Sequence, residues 1–336
     1  TPNVTAWLSP GEHNLTLRVQ DQNGDWSAPA WQLLSVRHNV VPWNISLAVA
    51  GVEVYRGNSL ALEEEKVRAA NCGVSLGVGI RVIAGEEVGY AYSDDLDPRI
   101  LKDTALVAAS IARGGNAPPA VRVSPVPVPN RYPVQPPPSE IAPSDKVALL
   151  RRGDRAAHQY DKRITQVMGY FVDQTKDILI ATSDGSLSED CQTMCRMNFS
   201  AIVDDGKGER RTGFHGGGGR VPFEYYQEFT PEDVAKEAAR MACAQLGAID
   251  APAGQQTVVL SPGWSGILLH EAVGHGLEAD FIRKGTSLYA GKVGERVASD
   301  LCTVIDSATI DHKRGTLNVD DEGHVPQEKV LIENGI

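Results

Sequence analysis

Half of the chain's 20 prolines fall between Pro118 and Pro143, and no other feature so narrows what the chain can become. Rings that fix φ and remove backbone donors at this density forbid helix and favour extended, semi-rigid polyproline segments. The stretch is therefore expected to be a linker, residues 117–143, between two folded parts. Its PxxP-like spacing would also suit an SH3-type partner, although a spacer is the simpler reading. At 336 residues the chain is long enough for two parts with sizeable cores.

Ahead of the prolines, residues 45–54, 73–83 and 85–93 read as strands, and residues 97–112 as a helix with Ile100, Leu101, Ala105, Ala108 and Ala109 on one side. The GVGIR run at 77–81 looks like half of a nucleotide loop, but no helix follows it, so strand is expected. Residues 1–38 stand apart. They alternate apolar and polar positions around Asn23 and Gly24, with Trp26 and Trp31 nearby, which predicts two strands of a partial immunoglobulin-like or fibronectin-like segment. A whole module of that kind needs about 100 residues.

Beyond the prolines, Ser144 is expected to cap a helix over 145–161. Strand signals follow at 164–172, 177–182, 193–203 and 210–214, separated by DQTK, SDGS and DDGKGE turns, which means antiparallel sheet. Thr230, Pro231 and Asp233 open a helix that runs to about residue 246. Residues 257–260, 301–305 and 329–333 read as short strands. Asn334 and Gly335 are the strongest two-residue hairpin signal available, and its return strand is expected beyond Ile336. The fold class these elements predict is α+β, antiparallel sheets with flanking helices.

The reactive chemistry concentrates in residues 268–285, LLHEAVGHGLEADFIRKG, which place His270, Glu271 and His275 on what reads as one helix packed on a core. Two imidazoles able to bind a metal flank a carboxylate able to move protons. The spacing is HExxxH, and residues five apart on a regular helix point about 140° away from each other. Both rings reach one ion only if the helix widens locally, as in a single π-type turn, which Gly274 would tolerate. Satisfied polar groups on a packed helix are the plain alternative. Against it, three ionisable groups crowd an apolar run of Ile267, Leu268, Leu269, Ala272, Val273 and Leu277, which is costly unless something such as a metal satisfies them. Glu278 and Asp280 could support the ligands or form a solvated face.

Two further groups are candidates for substrate contact. The HGGGGR run at 215–220 resembles an oxyanion-hole loop, but no GxSxG nucleophile accompanies it. A flexible loop at Gly216, Gly217, Gly218 and Arg220 would let a peptide backbone approach. Glu295 and Arg296, in the polar loop 286–299, could orient substrate or form a surface ion pair. Of the five cysteines, Cys191 and Cys195 are expected on one face of a strand and Cys302 in a core. Their odd number suits a reducing compartment. A net charge of −11 offers no footprint for nucleic acid, and no apolar run approaches the roughly 18 residues that span a bilayer.

The run VVLSPGWSGILLHEAVGHGLEADFIRKGTSLYAGKVGERVAS resembles the catalytic segment of the TldD subfamily of TldD/PmbA metalloproteases, peptidase family U62. SLGVGIRVIAGEEVGYAYSDDL, LLRRGDRAAHQYDKRI and GFHGGGGR match the same family in order and spacing, so the resemblance covers roughly residues 52–336. It implies a two-domain TldD/PmbA-like fold, with an N-terminal α+β domain over 45–116 and a metalloprotease domain over 144–336 that is incomplete at its C-terminal end. It further implies Zn2+ held by His270 and His275, Glu271 as general base, and a cysteine beyond Ile336 as third protein ligand. Peptide or unfolded protein substrates, a heterodimer with a TldE/PmbA-like subunit lacking the motif, and a cytoplasmic location follow in the same way. The alternatives are a non-catalytic scaffold subunit of such a complex or an inactive fragment.

Overall fold

The computed structural model describes residues 47–112, 122–263 and 265–336, and the β segment expected at 1–38 lies outside them. The described residues divide into two compact units. The first runs to Leu246 and takes back Asp311–Pro326; the second is Gly247–Ile310 with Gln327–Ile336.

In the first unit, β1 (Leu47–Glu63) and β2 (Lys66–Ala84) form a long antiparallel hairpin, in register from Leu47 opposite Ile83 to Glu63 opposite Lys66. Strand β3 (Glu87–Ser93) continues it, and α1 (Pro98–Ile111) returns across it. The helix starts where the sequence says it should: the Asp97 carboxylate accepts the Arg99 N–H at 2.8 Å and Pro98 occupies the first turn. Leu101, Ala108 and Ala109 then pack on Val78, Ile80 and Val82.

From residue 122 the proline-rich segment is mostly extended, as its composition predicts, with one 3-10 turn at Pro138–Glu140, and is laid along the sheet. Its β4 (Ser124–Pro125) makes a two-residue parallel pairing, and Tyr132, 2% exposed, donates its hydroxyl to Asp190 at 2.9 Å. Next comes α2 (Pro143–Tyr160). Ser144 is not its cap: Pro143 enters at the first turn behind Ala142, and no side chain caps the end.

Three strands follow, β5 (Ile164–Thr182), β6 (Ser186–Asp204) and β7 (Arg210–Gly219), and then α3 (Pro231–Gln245), capped by Thr230 as expected. The sheet order is β3-β2-β1-β5-β6, with β4 and β7 both on the far side of β6. The DQTK turn expected after residue 172 does not exist, because β5 is continuous. Its polar residues find partners instead on β1 and on α2: Asp173 with Asn58 and with Lys146 of α2, Lys176 with Glu53 at 2.7 Å.

One face of the sheet buries Leu62, Val167, Phe171, Met197 and Phe199 beneath Leu150 and Ala157 of α2 and Val234, Ala238 and Ala242 of α3. Each large side chain in this layer contributes about 1.5–3 kcal/mol of transfer free energy. The same layer holds an ion pair, Lys146 Nζ to Asp173 Oδ2 at 2.6 Å, with side chains 3% and 1% exposed. On the opposite face Val319 covers Val49 and Ile180, and the Ser188 hydroxyl donates to the Gly323 carbonyl at 3.0 Å.

The second unit is sparser. It contains α4 (Ser265–Leu269), α5 (Ala279–Arg283) and an antiparallel pair, β8 (Val304–Ser307) with β9 (Glu328–Ile332). Residues 257–260 form no strand, and Cys302 is exposed, not in a core. Asn334 and Gly335 do turn the chain: both have positive φ, 48° and 84°, and Glu333 and Ile336 exchange hydrogen bonds of 2.7 and 2.9 Å across them.

Candidate metal centre

His270 follows directly on α4, and from His270 to Gly274 the backbone makes a π turn. The His275 N–H donates to the His270 carbonyl, five residues back instead of four. This widening overcomes the divergence that the HExxxH spacing would otherwise impose. The two imidazole centroids lie 4.4 Å apart with their planes at 64°, and one ligand atom from each of His270, Glu271 and His275 falls within 4.8 Å of the others. All three residues are exposed.

Gly274 is not what permits the widening. Its φ and ψ are −57° and −50°, ordinary helical values, and a Cβ there would meet only the His270 side chain, at 3.7 Å or more. Nor is the segment one helix to Gly285. After a 3-10 turn at His275–Leu277, Glu278 is extended with ψ 136°, α5 begins afresh, and Gly285 closes it at φ 68°. Packing on a core, expected from the apolar run, is absent among the described residues: Ile267, Leu268 and Leu269 are 46%, 58% and 46% exposed.

The break at Glu278 has a chemical use. Its Oε1 lies 2.6 Å from His275 Nδ1, so a carboxylate accepts the Nδ1–H and the lone pair is left on Nε2. That Nε2 is 3.5 Å from Glu271 Oε2. The hydrogen bond that His275 donates to Glu278 is the main cause of its raised pKa; the loss of hydration opposes it, and the charges of Glu278 and Glu271 add to it. Asp280 plays no such part and lies 3.8 Å from Lys284.

The other expected contact residues are placed differently. Gly216, Gly217 and Gly218 are not a loop but the end of β7, opposite Asn198, Met197 and Arg196. Their lack of side chains serves close packing: a Cβ on Gly216 would come within 2.4 Å of Asn198, and one on Gly217 within 2.7 Å of the Phe229 ring. Arg220 is buried, with its guanidinium 4.7 Å from the Tyr132 ring centre, so it faces the protein's interior. Glu295 pairs with Lys292 at 2.6 Å, an exposed ion pair. A second group of metal-ligand type, Glu64, Asp154 and His158, is not legible in the sequence because Glu64 lies 94 residues from His158 and only folding brings it beside the Asp154–His158 pair. Its Glu64 carboxylate already accepts the Val167 N–H at 2.9 Å and lies 3.2 Å from His158 Nε2.

Known proteins place this arrangement in context. Residues 48–112, 136–246 and 253–336 match, in order, domain 1, the central domain and the C-terminal domain of the PmbA/TldA metallopeptidases. The chain is 39% identical over 303 residues to the metalloprotease TldD homolog of Haemophilus influenzae, covering 87% of this chain and 62% of that protein. It is 32% identical over 288 residues to a metalloprotease of Methanothermobacter thermautotrophicus, covering 84% and 61%. The chain thus spans about three fifths of the length of these relatives. Among solved structures, a candidate modulator of DNA gyrase from Bacteroides thetaiotaomicron superposes with a TM-score of 0.71 at 16% identity, covering 87% of this chain and 67% of that one. TldE from Thermococcus kodakarensis gives 0.59 at 21%, covering 86% and 65%. At such identities the structural matches speak to fold alone, and it is the three successive domain matches and the sequence relatives that decide the point: the chain belongs to the PmbA/TldD metallopeptidase family.

Proposed function

We propose that this chain carries the metal-binding and proton-transferring segment of a zinc-dependent peptidase acting on small or unfolded polypeptides. The observation that supports this most is the π turn, a costly local distortion whose effect is to bring His270, Glu271 and His275 within reach of one ion. The donor set suits zinc: two imidazole nitrogens beside a carboxylate, with His275 Nε2 freed by the hold of Glu278 on Nδ1. When bound, zinc lowers the pKa of a coordinated water and polarises a peptide carbonyl. His270 and His275 supply neutral imidazoles, and two such ligands leave positions for a further protein donor and the water. Glu271 takes the proton of the attacking water and passes it to the leaving amine.

Hydrolysis of an unstructured peptide substrate, read beside zinc content, tests this. Glu271→Gln is expected to lower turnover by about 10²–10⁴-fold while zinc affinity stays within a few-fold, and His270→Ala to abolish zinc binding. Unchanged hydrolysis by the Glu271→Gln variant would remove Glu271 from the proton transfer and overturn this assignment. The fold likeness to TldE supports a TldE-like subunit as working partner. No helix among the described residues is long and apolar enough to cross a membrane. Five unpaired cysteines fit a reducing cytoplasm.

A further inference from the structure

Three glycines of the first unit fall on one face of the β1–β2 hairpin. Gly51 sits directly opposite Gly79, and Gly77, two residues along β2, sits opposite Glu53. They floor an open cleft of about 590 Å³, a volume in the range of small-ligand sites. Gly79 is covered by the Tyr90 phenol, whose hydroxyl would lie 2.5 Å from a Cβ there. Gly51 and Gly77 are bare: a Cβ on Gly51 would meet nothing within 4 Å, and one on Gly77 only the Ser93 carbonyl at 3.5 Å. The floor is therefore bare peptide plane at Gly51 and Gly77, with the Tyr90 ring lying over Gly79, an open surface that suits a flat group.

The walls specify the charge of that group. The lining carries Arg81 and Lys176 against Glu53, Asp94, Asp321 and Glu322, a surplus of two carboxylates. Lys176 is taken by Glu53 at 2.7 Å and Arg81 by Glu322, whereas Asp94 and Asp321 make no ion pair among the described residues. Tyr92, 79% exposed, offers a ring face at the same edge. A planar cation meets all three conditions: it lies flat on glycine, stacks on an aromatic face and is paired by carboxylates.

We propose that this cleft is a docking site for an arginine side chain of an extended polypeptide, a contact made by the first unit in addition to any made at the metal centre. The inference rests on reading the chain as a peptide-handling protein. It does not need the chemistry, so it is tested on the whole chain carrying Glu271→Gln, without added metal. The probe is a fluorescein-labelled pentapeptide with arginine at its centre between alanines, compared with the same peptide carrying neutral, isosteric citrulline.

Saturable binding of the arginine peptide, at least 10-fold weaker for citrulline and weakened by raised salt, is the expected result. Asp94→Asn with Asp321→Asn should weaken arginine binding at least 10-fold. So should Gly51→Val, which stands a side chain on the floor, places its Cβ where no atom lies within 4 Å and favours strand. Equal affinity for the two peptides, or arginine binding unchanged in both the Asn pair and Gly51→Val, overturns the proposal; circular dichroism confirms that each variant is folded. Loss of arginine binding with hydrolysis intact in the parent would sink this site alone. Retained binding with no hydrolysis under any condition would sink the peptidase reading alone.

Discussion

The imidazole rings of His270 and His275 lie 4.4 Å apart although five residues separate them, because the helix between them widens to a π turn. The distance is set by backbone hydrogen bonding and not by the glycine within the turn. Gly274→Ala is therefore expected to keep zinc affinity within about twofold and to raise stability by up to about 1 kcal/mol, the ordinary gain of alanine over glycine in a helix. Calorimetric zinc titration and thermal melts of the variant check both; a loss of affinity comparable to that of His270→Ala would show that the turn does need glycine.

Glu278 holds His275 from behind at 2.6 Å. Replacing it by glutamine keeps the shape but removes the charge that orients and strengthens the imidazole. Metal affinity should fall by about 10–100-fold with both ligands in place. Competition with a chromogenic chelator reads this directly, and an unchanged constant would mean that His275 is positioned by its own backbone alone.

Lys146 and Asp173 are buried together at 2.6 Å, with Asn58 Nδ2 donating 2.8 Å to the other carboxylate oxygen. Lys146→Ala strands the carboxylate with one amide partner and should cost about 3–5 kcal/mol in urea unfolding. Lys146→Met combined with Asp173→Asn should cost clearly less than the sum of the two single changes, since no charge is left unpaired.

Helix α3 lies so close to β7 that a Cβ on Gly213 would come within 2.0 Å of the Ala238 carbonyl oxygen and 2.3 Å of the Ala242 nitrogen. Gly213→Ala must push the helix away and should destabilise by about 1–3 kcal/mol or more. An unfolding midpoint equal to the parent's would show that this contact yields freely.

Burial pushes the Cys195 thiol up to about 11, while Cys72 and Cys302 are exposed. At pH 8 only about one Cys195 in a thousand is thiolate, and it is covered as well. Alkylation at that pH, followed by mass spectrometry, should modify Cys72 and Cys302 first and leave Cys195 until the chain is denatured. Early loss of Cys195 would contradict the burial of β6 against α2 and α3.

Local chemistry was enough to read much of this protein from its sequence. The helix after residue 97, the cap at Thr230, the Asn334–Gly335 turn, the antiparallel strands and the need for a π turn between His270 and His275 all follow from dihedral preferences, hydrogen-bond donors and helical periodicity, which act within a few residues. What only the tertiary structure decided depends on partners distant in the chain. The polar run at 173–176 stays in a strand because Asn58, Lys146 and Glu53 answer it, and the glycines at 216–219 pack beneath neighbours instead of forming a loop. Three glycines from two strands likewise meet as one floor only because β1 and β2 pair in that register. A residue's neighbours along the chain fix its backbone options; which option is taken, and what it faces, is fixed by groups that folding alone brings beside it.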